Sequence, residues 1–395
     1  MAKVLFINGP EEGHLNPTLG LVKELTQRGE EVVYFTTEEF RDKIEKTGAI
    51  FHSYENFMEN LPFHKFDFKL IHLLQILLRS TDIVIPTVLE KTKGETFDYI
   101  IHDSMFGNGG MIAKLLKLPS ISSVTTFAFK GMQNIPLEQL GSEELRSETE
   151  ELALEISRKF SVPIPNLEEI FFNRGDLNMV YTSKLFQPQS EEFGEDFVFV
   201  GPSIIDRKDN LDFPFIKLKN NKVIYISLGT IVNGNIDFYH TCFKAFHDFP
   251  GKVVLSIGKR TDINLLGNIP ENFIVKPYVP QLEVLKQADL FITHGGMNST
   301  SEAIYYHVPL VVIPQTSDQP YVAQRVSDLG AGVAIFNSNI TSEVLREAAQ
   351  RVLGNSSFQR HSATIGNSFK AAGGYKQAVD EIFAFKKLHN ISDNI

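Results

Sequence analysis

The sequence has one cysteine and no tryptophan among its 395 residues, and each scarcity excludes something. Cys242 alone cannot form an intramolecular disulfide and supplies no cluster of thiolate ligands, which excludes thiolate-based zinc and iron–sulfur sites. Such a chain suits a reducing compartment. Since tryptophan is absent, any ring that stacks on a base must belong to Tyr, Phe or His.

Long apolar runs are also scarce. The first eight residues contain a four-residue apolar run, Val4–Ile7, before Gly9 and Pro10. This run is too short for the core of a signal peptide, so we expect a cytoplasmic protein. The most apolar stretch, Phe66–Leu78, contains polar residues and is shorter than the roughly 20 apolar residues that a membrane span needs. It predicts an amphipathic helix and no stable membrane insertion.

Positive charge is in deficit, with 38 Lys and Arg against 48 Asp and Glu and a formal net charge of -10. This balance opposes broad attraction to the phosphates of nucleic acids, so we expect no nucleic-acid partner. The chain also has no Asp-x-Asp pair, which disfavours a bound divalent cation. We therefore expect no metal and no cofactor.

Short apolar runs alternate with longer stretches of helical period along the whole chain, a pattern typical of βαβ units and parallel sheets. The pattern predicts strands at Val4–Asn8, Glu31–Thr37, Tyr99–Asp103, Ile121–Thr125, Met179–Thr182, Phe197–Gly201, Val223–Leu228, Val253–Ile257, Phe273–Tyr278, Leu290–Thr293, Leu310–Ile313 and Val333–Phe336. The final stretch, Phe358–His389, is predicted to be helical.

A polar, aperiodic segment separates two such halves. The prediction is a first domain at residues 1–205, a linker at 206–221, a second domain at 222–375 and a C-terminal helix at 376–395 that crosses back to the first domain. The fold class is α/β, with two facing, doubly wound Rossmann-like domains and a cleft between them. Ligands of open α/β sheets bind where the strands end, so function is sought in the residues that follow strands.

His14 follows the first predicted strand, before a helix that Asn16 is expected to cap and Pro17 to open. The segment lacks the G-x-G-x-x-G dinucleotide fingerprint and the Lys-Ser/Thr of a P-loop. A histidine with its ordinary pKa near 6.5 is suited to general-base catalysis at this place. The alternative is a solvated or core histidine, since the chain has 11.

Asp103 ends the predicted strand Tyr99–Asp103 and is the best-placed carboxylate to hold the second ring nitrogen of His14. Its alternative role is to cap a helix that opens near Gly107. His102 competes on the same strand, but side chains alternate along a strand and His102 should point to the opposite face.

Three polar clusters follow strands of the second half, at residues 278–281, 294–302 and 313–320. The glycines after His294 lead into a helix that begins near Asn298, and the free N–H groups of such a start bind phosphate oxygens. The alternative is ordinary helix capping, with Ser299 and Glu302 as a capping box and Asp318 as an N-cap before Pro320. Three clusters within about 40 residues favour ligand binding over capping.

At these positions the sequence resembles the family 1 UDP-glycosyltransferases of the two-domain GT-B fold, and within them the bacterial macrolide and flavonoid glucosyltransferases of the YjiC type. The resemblance covers essentially the whole chain. It implies that His14 is the base and Asp103 its carboxylate partner. It further implies contacts with the UDP-sugar donor from Asn16, Ser227, Thr230, Tyr278, Val279, Gln281, His294, Gly296, Asn298, Ser299, Thr300, Glu302, Asp318 and Gln319.

Within that set, the resemblance assigns Tyr278 and Val279 to the uracil and Gln281 and Glu302 to the ribose. The diphosphate falls to His294 with residues 298–300 and to the turn at residues 227–230. Asp318 and Gln319 fall to the sugar.

The function expected is inverting, metal-independent transfer of glucose from UDP-glucose to hydroxyl groups of hydrophobic small molecules, by a monomer. Acceptor contacts are expected from the helix Phe66–Leu78 and from Met105, Phe106 and Phe127, although these residues are equally typical of a core. Three alternatives remain open: a GT-B-shaped UDP-sugar epimerase, an NAD-linked oxidoreductase and a non-catalytic UDP-sugar binding protein.

Overall fold

The computed structural model describes residues 1–59, 69–106, 108–131, 141–164, 172–205, 212–229, 234–259, 261–315, 318–336 and 339–391. The chain divides into two compact units. The first comprises Met1–Ser203 and Ala372–Ile395, and the second comprises Ile204–Ala371. Of the predicted linker, residues 206–211 lie outside the described residues, and Phe215–Lys217 form a short 3-10 turn.

The first unit contains a seven-stranded parallel sheet in the order β3-β2-β1-β4-β5-β6-β7. This order, which runs outward in both directions from β1, is that of a doubly wound sheet. Its strands are β1 (Lys3–Ile7), β2 (Glu31–Thr36), β3 (Ile50–Ser53), β4 (Tyr99–Asp103), β5 (Ser120–Val124), β6 (Leu177–Val180) and β7 (Phe197–Phe199).

Helices connect the strands of the first sheet. The described ones before residue 204 are α1 (Glu12–Gln27), α2 (Arg41–Glu45), α3 (Leu70–Lys91), α4 (Asn108–Leu116) and α5 (Glu143–Phe160). The side chains of α3 and α4 pack with those of β1, β2 and β4 in one buried apolar cluster.

The second unit repeats the arrangement with a six-stranded parallel sheet in the order β10-β9-β8-β11-β12-β13. Its strands are β8 (Val223–Ser227), β9 (Lys252–Ser256), β10 (Phe273–Lys276), β11 (Leu290–Thr293), β12 (Leu310–Val312) and β13 (Gly332–Ala334). Its described helices are α6 (Ile236–Phe246), α7 (Gln281–Leu285), α8 (Met297–Tyr305), α9 (Gln319–Asp328), α10 (Ser342–Leu353) and α11 (Ser356–Ala371).

The predicted α/β class with two doubly wound sheets is confirmed, and the predicted strands lie within two residues of the observed ones. Among the strands in the described part of the chain, the sequence pattern missed β3 alone. That strand has four residues, begins with the exposed Ile50 and ends with the polar pair His52 and Ser53, so it has no apolar run to mark it.

The predicted start of the first helix is wrong. Asn16 and Pro17 lie inside α1, which begins at Glu12. The N–H groups of His14 and Leu15 already donate to the carbonyl of Glu11, at 3.0 and 2.9 Å. Pro17 is the sixth residue of α1, so it lacks the N–H that would otherwise donate to the carbonyl of Gly13. His14 therefore lies in the first turn of α1, and not in a loop before it.

The predicted C-terminal helical stretch is broken into two helices, α11 and α12 (Gly374–Leu388). The break falls at Ala372 and Gly373, and Gly373 and the first residue of α12, Gly374, have positive φ values of 89° and 64°, which glycine adopts at no steric cost. The break allows the last helix to pack against α1 of the first unit.

A buried ion pair fastens α12 to the first unit. Lys386 Nζ lies 2.6 Å from Glu30 Oε1, and both side chains are at most 2% exposed. The second carboxylate oxygen of Glu30 accepts a hydrogen bond from the Tyr99 hydroxyl at 3.1 Å. A charge pair this deeply buried is retained only when its remaining polar atoms are also satisfied.

One described helix, α3, is long and apolar enough to cross a membrane by length and composition. Half of that apolar stretch is buried in the first unit, where Leu74, Leu77 and Leu78 belong to the main core. Its apolar character is therefore accounted for by packing. The predicted helix Phe66–Leu78 overlaps α3 from Leu70 onward, and residues 66–68 lie outside the described residues.

Candidate functional site

His14 and Asp103 are in direct contact in the first unit. His14 Nδ1 lies 2.7 Å from Asp103 Oδ2, across 89 residues of sequence. The pairing of β1 with β4 brings them together, because α1 follows β1 closely and Asp103 ends β4. Asp103 is fully buried, whereas the His14 side chain is 16% exposed. The imidazole is thus oriented by a carboxylate and is partly exposed.

The second role considered for Asp103 is not what the structure shows, because the N–H groups that it accepts belong to the turn before α4 and not to that helix. Asp103 Oδ1 accepts the backbone N–H groups of Met105 and Phe106, at 2.7 and 3.2 Å, in the turn that precedes α4. The two oxygens therefore divide between the turn and His14. Since the turn fixes the carboxylate, it also fixes the direction in which the carboxylate meets the imidazole. His102 is buried on the opposite face of β4, against Gly109 of α4, as strand alternation predicts.

Thr125 is a further neighbour of His14 that the sequence pattern did not reveal. Its Oγ1 lies 3.1 Å from His14 Nδ1, just beyond the end of β5. Thr125 is the last residue of a predicted strand, and nothing in its sequence context distinguishes it from a core position. The contact becomes visible only from the order of the sheet, in which β5 lies beside β4.

An aromatic ring packs beside the imidazole. Phe106 meets His14 edge to face, with ring centroids 5.1 Å apart. Gly9 leaves room for this ring, since a Cβ at that position would lie 2.0 Å from its carbon atoms. Of the residues predicted to contact an acceptor, Phe106 and Phe127 are buried core residues and Met105 is half-buried. Core packing, the alternative considered for them, is what the structure shows for the two phenylalanines.

Asn16, predicted to contact the donor, is half-buried in α1. It lies two positions after His14, and side chains two apart on a helix point to different faces. The structure therefore does not place Asn16 on the face of α1 that presents His14.

In the second unit, the His294 ring lies between two glycines. A Cβ at Gly229 would lie 2.6 Å from two atoms of this ring, and a Cβ at Gly296 would lie 2.5 Å from its Nε2. Gly229 also has a positive φ of 80°. Both positions thus require glycine, because a Cβ at either would overlap the imidazole at the carboxyl end of β11.

The helix start predicted near Asn298 is observed one residue earlier. Helix α8 begins at Met297 with Gly296 as its N-cap, and Gly296 has no side chain to cap the first turn. Asn298 and Ser299 lie inside the first turn and are half-buried. The capping-box alternative is wrong, because Ser299 is a helical residue and not the N-cap.

Thr300 differs from its neighbours. Its N–H donates to the carbonyl of Gly296 at 3.0 Å, and its side chain is fully buried. Its hydroxyl oxygen is shielded from solvent. The expected contact of Thr300 with a diphosphate is therefore not supported, because neither polar group of the residue is accessible.

Burial lowers the pKa of His294 to about 4, from an ordinary value of 6.5. Since the folded-state pKa lies below the unfolded one, the unfolded chain takes up the proton first as the pH falls. The contribution of His294 to stability is then complete above about pH 6.5 and is lost as the pH falls toward 4.

We expect the imidazole of His294 to take up its proton near pH 4 in the ligand-free protein, so that the ring is neutral from pH 6 to 8. An NMR titration, with the signal assigned by its loss in His294→Gln, measures this directly. A titration midpoint near 6.5 would show that burial does not lower the pKa of His294.

Gln281 links three polar side chains of the second unit. Its Nε2 donates to Glu302 Oε2 at 2.6 Å and lies 3.4 Å from Ser299 Oγ, while its Oε1 accepts the hydroxyl of Tyr225 at 3.0 Å. The structure thus brings together three residues predicted from the sequence. It adds Tyr225, which was not predicted because it lies within the apolar strand β8.

The other predicted donor residues also lie at the carboxyl ends of strands in the second sheet. Tyr278 follows β10 and is 43% exposed, whereas the side chain of Val279 is buried. Ser227 ends β8, where its Oγ accepts the N–H of Gly229 at 3.3 Å. Thr230 lies outside the described residues.

Asp318 and Gln319 begin α9 after β12. Asp318 occupies the N-cap position that the capping alternative predicts. Its side chain does not accept the capping hydrogen bond. Gln319 is buried, and its Oε1 accepts the N–H of Gln315 at 2.8 Å. The side-chain amide oxygen of Gln319 is therefore already hydrogen-bonded within the protein.

Comparison with known proteins identifies the lineage. Residues 241–383 match the family model described as erythromycin biosynthesis protein CIII-like, C-terminal domain. The chain is 42% identical to the uncharacterized UDP-glucosyltransferase YojK of Bacillus subtilis, over 100% of both chains. It is 37% identical to the NDP-glycosyltransferase YjiC of the same organism, over 97% of each.

The chain belongs to the family 1 UDP-glycosyltransferases. The resemblance seen in the sequence is thereby confirmed, and the oxidoreductase alternative is wrong.

The fold of this UDP-glycosyltransferase is GT-B. A solved structure titled as the glycotransferase of kitacinnamycin matches it with a TM-score of 0.85 and 26% identity, over 97% of this chain and 98% of that one. Within the described residues of the UDP-glycosyltransferase, no three His, Cys, Asp or Glu side chains are grouped as metal ligands.

Proposed function

We propose that the protein transfers glucose from UDP-glucose to hydroxyl groups of hydrophobic small molecules, such as macrolides, flavonoids and other phenolics, with inversion to a β-glycoside. The observation that carries the proposal is the contact between His14 and Asp103 at 2.7 Å, at the end of a parallel sheet. The name UDP-glucosyltransferase, which YojK bears at 42% identity, supports glucose as the sugar.

In this proposal, His14 removes the proton of the acceptor hydroxyl through its Nε2. Because Nδ1 faces the Asp103 carboxylate, the proton of the neutral ring resides on Nδ1 and leaves Nε2 with its lone pair. Asp103 then stabilises the imidazolium that forms. Thr125 Oγ1, 3.1 Å from Nδ1, adds a second acceptor on the same side.

Departure of UDP is assigned to the start of α8. Developing negative charge on the diphosphate is stabilised by backbone N–H groups and by the helix dipole at Gly296–Ser299, so the step is proposed to need no metal. The neutral His294 beside them can donate or accept a hydrogen bond without adding charge. The family resemblance assigns the other donor contacts: Tyr278 borders the uracil, Gln281 and Glu302 hold the ribose, and Asp318 contacts the sugar.

Hydrophobic acceptors are supported by the apolar side chains around His14. Phe106 contacts the imidazole, and Phe57 meets Phe106 edge to face at 5.9 Å. Phe57 and Met105 are only partly buried against the core, so they leave apolar surface for a ligand. The single cysteine, Cys242, supports the proposed cytoplasmic location.

The test is to incubate the protein with UDP-glucose and a phenolic acceptor and to separate the products by liquid chromatography with mass detection. The proposal predicts a glucoside of the acceptor and an equal amount of UDP. An incubation without acceptor distinguishes the alternatives, because an epimerase converts the donor alone. A protein that binds UDP but yields no product with any acceptor would be a binding protein, and the proposal would be wrong.

Gly296→Ala tests the donor site. The added Cβ would lie 2.5 Å from His294 Nε2, so the imidazole or the start of α8 must move. A hydrogen bond to a charged group contributes about 1.5–3 kcal/mol, so loss of one such bond should weaken UDP binding about tenfold to a hundredfold. Isothermal titration calorimetry with UDP measures this change.

The matched control for that experiment is Gly13→Ala, since a Cβ at Gly13 would have nothing within 4 Å. UDP affinity should be unchanged in the control. Equal affinity in Gly296→Ala and wild type would show that the start of α8 does not hold the diphosphate.

A further inference from the structure

Tyr225 is a buried side chain whose hydroxyl contacts Gln281, a residue that the proposed function assigns to the donor. It lies within β8, is 1% exposed and stacks on Phe291 of the neighbouring strand, with ring centroids 4.7 Å apart and an interplanar angle of 11°. A phenylalanine would fill this space and stack equally well. The hydroxyl is therefore not explained by packing, and it bonds to Gln281 Oε1 at 3.0 Å.

The contacts determine which group donates in each hydrogen bond. The Glu302 carboxylate can only accept hydrogen bonds. The Gln281 atom that lies 2.6 Å from it must therefore be Nε2, which donates. The amide oxygen of Gln281 must then face Tyr225, whose hydroxyl donates. Burial raises the pKa of Tyr225, so the phenol keeps the proton that this bond requires.

We infer that Tyr225 is a positioning residue which, through Gln281, sets Glu302 for recognition of the ribose and so lets the site prefer a ribonucleotide to a 2′-deoxyribonucleotide. This inference rests on the proposed function, in which Gln281 and Glu302 contact the ribose. The Gln281 amide is held at both ends, by Tyr225 at its oxygen and by Glu302 and Ser299 at its nitrogen. Without the Tyr225 hydroxyl, the half-buried amide loses the donor to its oxygen and can turn toward water.

The 2′-hydroxyl of a ribose is the natural reporter for this arrangement. A site built to bond a hydroxyl rejects a ligand that lacks it, because its own polar groups are then left unpaired. UDP and 2′-deoxy-UDP differ in that hydroxyl alone. A general loss of structure would weaken both ligands equally, whereas loss of the positioned Glu302 would weaken UDP selectively.

The experiment measures the affinities of UDP and 2′-deoxy-UDP by calorimetry for the wild type and for Tyr225→Phe. We expect the wild type to prefer UDP by about tenfold or more. In Tyr225→Phe, we expect UDP to bind about five- to tenfold more weakly, with the affinity for 2′-deoxy-UDP unchanged within about twofold. The preference should therefore largely disappear.

The matched control is Tyr34→Phe. Tyr34 is equally buried, in the first unit, and its hydroxyl bonds to Thr18 at 2.8 Å. Both affinities should be unchanged in that variant. Equal weakening of the two ligands in Tyr225→Phe, or a retained preference for UDP, would overturn the inference.

If the wild-type protein does not bind UDP, the proposed function is wrong. If the wild type binds UDP and Tyr225→Phe keeps the same preference, this inference alone is wrong. Thermal melting establishes that Tyr225→Phe is folded. Should it not fold, Gln281→Met removes the amide between the same two partners and must also abolish the preference. A preference retained in Gln281→Met would equally overturn the inference.

Discussion

Replacement of His14 by alanine is expected to lower kcat about 10²- to 10⁴-fold, the usual contribution of a positioned general base. The affinity for UDP should be unchanged, because His14 lies in the first unit and the donor residues lie in the second. Steady-state kinetics with UDP-glucose and a phenolic acceptor, together with calorimetry for UDP, measure the two quantities separately.

Two further variants serve as comparisons for His14→Ala. Asp103→Asn keeps the shape of the side chain and its turn but no longer stabilises the imidazolium, so kcat should also fall strongly. His247→Ala is the matched control, because His247 is exposed in the second unit and its Nδ1 lies 3.1 Å from the backbone carbonyl of Lys244. A His14→Ala variant with near wild-type turnover would refute the base assignment.

Removal of one partner of the buried ion pair should destabilise the first unit strongly. Lys386→Met leaves the Glu30 carboxylate buried without its counter-charge, and such losses cost about 3–5 kcal/mol. For a unit of this size, the unfolding midpoint should fall by roughly 6–20 °C. Differential scanning calorimetry measures the shift.

The chain offers two matched controls for this prediction. The double variant Glu30→Leu with Lys386→Met removes both charges and should recover most of the loss. Lys159→Met breaks an exposed ion pair with Asp82, 2.7 Å in length, and should cost at most about 1 kcal/mol. If Lys386→Met were no more harmful than Lys159→Met, α12 would not depend on the buried pair.

Much of the fold follows from the sequence because parallel strands buried on both faces leave continuous apolar runs. Those runs locate twelve of the thirteen described strands. The exception, β3, has one buried residue in four and therefore leaves no run. Helix boundaries were less accessible: Asn16 and Pro17 have the composition of a helix start, yet backbone bonds to Glu11 begin the helix earlier.

The candidate site divides in the same way. His14, Asp103, Gln281 and Glu302 were predictable because polar residues at strand ends stand out against apolar runs. Thr125 and Tyr225 were not, since each lies at or within a predicted strand, where the sequence pattern is that of a core. Their contacts depend on which strands are neighbours, and that order is a property of the folded sheet.

Two glycines of the second unit were expected from the sequence for a reason that the structure extends. Close approach to phosphate was predicted for Gly296, and the resemblance assigned the turn at residues 227–230, which contains Gly229, to the diphosphate. The structure adds a reason specific to this chain, because a Cβ at either glycine would overlap the His294 ring.

The proposed transfer inverts the anomeric carbon and uses a base in the first unit. The most direct measurement is the anomeric configuration of the glucoside formed from UDP-glucose, followed by ¹H NMR as the reaction proceeds. A one-step displacement in which His14 deprotonates the acceptor predicts a β-linked product from the first turnover. An α-linked product would require a different course at the anomeric carbon and would contradict the mechanism.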